Sequence, residues 1–137
     1  MSLQLDSLTK SIDILERAVK TASRVDDSDE DLQETVRAGV IHSFEVAYEL
    51  SWKMIKRWLQ ENIGAASVDG TTQRNLFRLA AENHLIADAE RWMDYHKARN
   101  STSHTYNEDA AENVFAEAAE FGHDVKYLLR MLEIRND

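Results

Sequence analysis

A chain of 137 residues has the size of one domain and can bury a core without staples. It has no cysteine, so disulfides and thiolate metal sites are excluded, and its net charge of −9 argues against broad nucleic-acid binding through a basic footprint. With 43% hydrophobic and 30% charged residues it is expected to be globular and soluble rather than disordered.

No 18-residue apolar run is present, so no membrane span is expected. The first residues, Met1-Ser2-Leu3-Gln4-Leu5-Asp6, lack the basic and apolar regions of a secretory signal, and the expected compartment is the cytoplasm. Zero prolines and four glycines predict an all-α fold, since sheets and their turns need more of both.

Taken in order, Leu5, Leu8, Ile12, Leu15, Val19 and Ala22 step by three and four residues and predict a first amphipathic helix. The acidic run Asp26 to Asp31 reads as a loop and the first turn of the next helix, with Ser28 or Asp29 as cap. Residues 31 to 62 carry two adjacent apolar stripes, one through Val36, Val40, Phe44 and Ala47, the other through Ile41, Tyr48, Trp52 and Ile55. An apolar arc that wide touches several neighbours, so this is the predicted central helix of a bundle. Tyr48, Trp52 and Trp58 fall on helical spacing and are expected in the core or an interface. Glu49 and Lys53 stand four apart, in the favoured order for an ion pair.

Gly64 is a natural stop, and residues 65 to 70 read as a linker. Thr71 or Thr72 can cap a helix ending near Asn83, with Arg74 and Arg78 on its outer side. Asp88 can cap the next helix, which runs through Arg99. The polar residues 100 to 107 break the pattern, because Asn, Ser and Thr side chains compete for their own backbone. Asn107 can then cap a last helix with the stripe Ala111, Val114, Ala118, Phe121, Val125 and Leu128. The predicted architecture is a single domain, 1–137, folded as an up-and-down bundle of about five helices.

Five histidines are present, His42, His84, His96, His104 and His123, and none has the spacing of a helical metal motif. No metal and no other cofactor is expected, and neither a glycine-rich phosphate loop nor a nucleophile elbow is present. The stretch that gathers chemistry is Arg99-Asn100-Ser101-Thr102-Ser103-His104-Thr105-Tyr106. In a continuous helix, positions five apart differ by about 140°, so Arg99 and His104 diverge; a helix ending near Ser103 lets His104 swing back.

Together they suit a phosphodiester. Arginine holds the phosphate and stabilises the charge of its transition state, while histidine, with an ordinary pKa of about 6.5, moves protons. Between residues 91 and 106 the cations Arg91, Lys97 and Arg99 face one carboxylate, Asp94, and His96 lies close in sequence. Lys53, Lys56 and Arg57 could extend this local basic cleft. On spacing alone a second reading stays open: Arg99 pairs with a carboxylate of the bundle and His104 bonds a backbone carbonyl at a helix end.

Arg99-x4-His104-x-Tyr106 resembles the Arg-x4-His-x-Tyr motif of HEPN (higher eukaryotes and prokaryotes nucleotide-binding) domains. The segment His42 to Lys56, HSFEVAYELSWKMIK, together with RNSTSHTYNED, is similar to the nucleotidyltransferase substrate-binding protein family, a branch of that superfamily. The resemblance spans nearly the whole chain. It implies a HEPN-like helical domain, similar to the substrate-binding domain of aminoglycoside nucleotidyltransferases, that pairs with a separately encoded minimal nucleotidyltransferase.

It also implies a homodimer in which two motifs meet in one cleft and cut RNA without metal. The partner would then be an antitoxin that silences this ribonuclease toxin by transferring AMP to the motif tyrosine. Carried over by residue, Arg99 would stabilise the phosphate, His104 would be the acid–base group and Tyr106 the modified phenol. Asn100 matches the polar residue that follows the arginine; His96 and Lys97, from the local basic neighbourhood rather than the resemblance, are expected as auxiliary binding groups. Two alternatives are a non-catalytic substrate-binding subunit of a two-component nucleotidyltransferase, which the acidic balance suits, and a plain helical oligomerisation module.

Overall fold

A computed structural model describes residues 3–136, and every described element is helical. Helix α1 spans Asp6–Ala22 and buries Leu8, Ile12 and Leu15, the middle of the predicted stripe. Helix α2, Glu30–Ile63, has 34 residues and is therefore about 50 Å long. Its cap is Asp29, whose side chain accepts the Leu32 N–H at 3.1 Å. Gly64, at φ 95°, ends it in a conformation that suits glycine.

The expected linker departs from prediction: Ala65–Val68 forms a single-turn helix, α3. Two alanines, the best helix formers, follow the stop, and the Asp69 N–H closes the turn on the Ala65 carbonyl at 2.8 Å. The turn drives Val68 fully into the core.

Helix α4, Gln73–Glu82, is capped by Thr72, which accepts the Asn75 N–H at 3.1 Å. Helix α5, Ala89–Asn100, is capped by Asp88, and α6, Glu108–Ile134, by Asn107. Between α5 and α6 lies a 3-10 turn, Thr102–His104. The all-α bundle expected from the sequence is the fold observed, with α2 touching each of the other five helices. Among the described residues no helix is long and apolar enough to cross a membrane.

The core is centred on aromatic rings. Phe121 of α6 lies 5.3 Å from Phe44 of α2 and 5.3 and 5.0 Å from Trp92 and Tyr95 of α5 (centroid distances), all edge to face. That geometry matches ring edges to ring faces and adds to the gain from burial. Tyr95 brings a hydroxyl into this apolar region, and the hydroxyl donates to Asp124. Burial, with the Asp124 carboxylate beside it, pushes the Tyr95 phenol well above its usual range. Arg91 covers the ring at 4.7 Å and pairs with Glu117 at 2.9 Å.

Phe121→Ala should cost about 3–5 kcal/mol, because it empties the centre of this cluster. Asp88→Ala should cost about 1 kcal/mol, the value of one helix cap. Urea denaturation of the two variants checks this ordering, and equal costs would contradict the central place given to Phe121.

Candidate functional site

The last turn of α5 is closed by its own polar side chains. The Ser101 N–H donates to the Lys97 and Ala98 carbonyls, both at 3.1 Å, and the Ser101 hydroxyl donates to Lys97 at 3.0 Å. Thr102 Oγ1 lies 2.8 Å from the Arg99 carbonyl and 3.2 Å from Glu45 Oε2, two acceptors for one proton. It also accepts from Arg99 Nη1 at 3.1 Å. The Thr102 hydroxyl thus takes the Arg99 carbonyl, which the Ser103 N–H of a continuing helix would have needed.

Arg99 is half-buried between two carboxylates of α2. Its Nη1 lies 3.3 Å from Glu45 Oε2 and its Nε 3.3 Å from Glu49 Oε1. The second contact is an ion pair without hydrogen-bond geometry, since the buried Nε has no hydrogen-bond partner. Glu49 also accepts the Trp52 indole N–H at 3.1 Å. The expected Glu49–Lys53 pair does not form; Lys53 instead lies over the Trp52 ring at 5.8 Å. Glu49 turns to Arg99 because that partner is half-buried and held from a second helix, whereas an exposed lysine contributes little.

Sequence reasoning missed Glu45 and Glu49 as site residues, although a signal was there. Two glutamates at i,i+4 on one helix face repel, and a cation placed between them relieves the cost.

His104 lies on the 3-10 turn and is exposed. The turn is closed by the His104 N–H on the Ser101 carbonyl at 3.0 Å and the Asn107 N–H on the His104 carbonyl at 3.1 Å. Neither sequence-based arrangement of the ring occurs: among the described residues the His104 imidazole bonds neither Arg99 nor a backbone carbonyl. It lies edge-on to Tyr106, with centroids 6.3 Å apart, and Tyr106 is 87% exposed. Arg99, His104 and Tyr106 therefore share the end of α5 and the turn that follows, but the arginine is engaged and the two rings are free.

His96 points the other way. Its Nδ1 lies 2.7 Å from the Tyr48 hydroxyl, which itself accepts from Gln73 Nε2 at 3.3 Å. The other His96 ring nitrogen, Nε2, lies 3.4 Å from the Asn100 side-chain amide nitrogen. Burial lowers the pKa of His96 and Glu49 opposes the shift, while burial raises that of Tyr48.

Lys97 is exposed and forms no ion pair among the described residues. Arg91 is committed to Glu117 and Asp94, and Arg99 to Glu45 and Glu49. The expected local basic excess is thus cancelled by carboxylates from α2 and α6, which sequence distance concealed. Among the described residues no three His, Asp or Glu side chains gather as metal ligands.

The model of the family described as nucleotidyltransferase substrate binding protein like matches residues 3–134. The chain belongs to this family. A relative in Haemophilus influenzae, named probable ribonuclease HepT, is 39% identical over 106 residues, covering 77% of this chain and 73% of the relative. A solved structure from the same organism, described as revealing the fold of a substrate binding domain of a nucleotidyltransferase, superposes with a TM-score of 0.88 at 34% identity, over 95% of this chain and 99% of that one. A Thermus thermophilus crystal structure gives 0.74 at 27% identity, over 91% and 98%. Membership of the substrate-binding family, expected from the segments around His42 and Arg99, is therefore borne out.

The lowered pKa of His96 sets the direction of a pH effect on this family member. The unfolded chain takes up a proton there at a pH where the folded one does not. The stability contributed by the neutral ring is complete above about 6.5 and is lost as pH falls below it. Thermal melting between about pH 8 and pH 5 should show this decline, and His96→Gln should flatten it. An unchanged slope in the variant would remove His96 from the explanation.

Proposed function

We propose that this chain is a HEPN-type subunit that pairs with a separately encoded minimal nucleotidyltransferase. In this reading it is a metal-independent endoribonuclease toxin, silenced when AMP is transferred to Tyr106. One observation carries the reading: Arg99 is held by Glu45 and Glu49 at the end of α5, and the following turn presents the exposed rings of His104 and Tyr106. The family match supports the nucleotidyltransferase partner, and the name of the Haemophilus relative supports the nuclease.

The chemistry follows from these groups. The ribose 2′-oxygen attacks the adjacent phosphorus as His104 takes its proton, and Arg99 stabilises the charge gathering on the phosphoryl oxygens. The 5′-oxygen leaves with a proton, giving a 2′,3′-cyclic phosphate and a free 5′-hydroxyl. A homodimer with two such stretches in one cleft supplies one histidine as base and the other as acid. Lys97 and Asn100 border the same end of α5 as auxiliary binding groups, whereas His96, expected as a third, is turned inward to Tyr48.

For silencing, the Tyr106 phenol oxygen attacks the α-phosphorus of ATP held by the partner. Pyrophosphate leaves and the phenol loses its proton. The new phosphodiester puts bulk and negative charge beside His104, where RNA phosphate would have to enter. The pair would act in the cytoplasm, on RNA, with this chain as a single domain.

A second reading, a non-catalytic subunit presenting substrate to the nucleotidyltransferase, is favoured by the acidic balance of the chain, net charge −9, which suits a cationic acceptor.

Purified protein with RNA and a chelator separates the two. Cleavage leaving cyclic phosphate ends is expected, with His104→Ala and Arg99→Ala each slower by at least about a hundredfold. Intact RNA with the wild-type chain would sink the nuclease and favour the substrate-presenting subunit.

A further inference from the structure

Tyr106 lines a cavity of about 280 Å³ formed by the N-terminal half of α2, the turn before α6 and the start of α6. Arg37 and Glu108 stand in its wall, with Glu34, Ala38, Ile41 and Ala111. Arg37 donates from both terminal nitrogens to both oxygens of Glu108, at 2.8 and 3.1 Å. The partners differ in setting: the Arg37 side chain is 23% exposed and the Glu108 side chain 64%. The arginine is fixed against the bundle, and the glutamate is free to leave.

As a stabilising ion pair this contact is worth little, because most of Glu108 is in water. As a binding element its geometry is informative. The planar fork that matches a carboxylate also matches two oxygens of a phosphate. Small apolar side chains and the buried Ile41 offer a floor for a purine, and the Glu34 carboxylate is an acceptor for ribose hydroxyls. The volume lies just below the roughly 300–1,000 Å³ of small-molecule sites.

We infer that this cavity seats the nucleotide attached to Tyr106, with Arg37 binding its phosphodiester in the place Glu108 holds in the unmodified chain. The inference rests on the reading of Tyr106 as an AMP acceptor. No bond is made or broken in the seating itself; one anion replaces another on Arg37, and Glu108 is released to water. A weak site is enough, because the covalent link holds the nucleotide at millimolar effective concentration. Seating ties the turn that bears His104 and Tyr106 to α2, so the silenced state is a docked one rather than merely a crowded one. It also shields the phosphodiester from hydrolysis.

The test is the rate at which an added phosphodiesterase releases AMP from the modified protein. The chain is co-produced with its partner nucleotidyltransferase, and one adenylyl group on Tyr106 is verified by intact mass and peptide mapping. Arg37→Gln should release AMP about tenfold faster than wild type, as expected for loss of a charge-assisted contact. Glu108→Gln, which breaks the same pair but leaves the arginine, should be no faster than wild type. Arg37→Lys, which keeps the charge but not the fork, should fall between and carries the test if the glutamine variant does not accumulate.

Equal rates in wild type and the Arg37 variants would overturn the inference. So would equal acceleration by Glu108→Gln, since that would trace the effect to a weakened fold. A wild-type chain that gains no adenylyl mass would instead overturn the reading of Tyr106, and the seating with it.

Discussion

Aromatic rings from three helices meet at Phe121, and that meeting fixes where every other group can stand. Phe44 and Tyr48 come from α2, Trp92 and Tyr95 from α5, and Phe121 from α6. Large rigid rings packed edge to face allow little sliding, so the register of α5 against α2 is set by their shapes. Arg99 lies one helical turn beyond Tyr95, while Glu45 and Glu49 lie on either side of Tyr48. Once the rings are seated, the arginine meets the two glutamates without further adjustment. The geometry of the site is a consequence of the core.

Electrostatics then explains why the site has two states of engagement. Glu45 and Glu49 repel each other along α2, and Arg99 relieves that repulsion from across the groove. A phosphate approaching Arg99 competes with carboxylates already in place. His104 and Tyr106, beyond the end of α5, have no such partners among the described residues and are exposed. A similar arrangement recurs nearby, where Arg37 of α2 is held by Glu108 of α6 beside Tyr106. Both arginines are half-buried, and both are balanced by carboxylates in an acidic chain. That balance lets a protein of net charge −9 keep strong anion-binding groups beside the turn between α5 and α6 without a broad basic surface.

Much of the fold is written locally. Asp29, Thr72, Asp88 and Asn107 cap their helices because a short side-chain acceptor followed by a helical stripe has one favoured use. The stripe of α6 is buried from Ala111 to Leu132, residue by residue as its spacing requires. The interruption after Arg99 is also local, since hydroxyls and amides compete for the backbone whatever surrounds them. The missed helix, α3, is a case where two alanines outweighed a stretch read as linker, and Val68 gained a buried place.

The sequence by itself therefore determined the five longer helices, the caps of four of them, the wide apolar arc of the central helix, and a polar break carrying arginine, histidine and tyrosine. Those features depend on neighbours within about one turn. Only the tertiary structure decided which carboxylates meet Arg91, Arg99 and Arg37, that His96 turns inward to Tyr48, and that His104 faces Tyr106 rather than Arg99. These outcomes join residues up to 71 positions apart. They follow from how packed rings bring whole helices together, which no local pattern records.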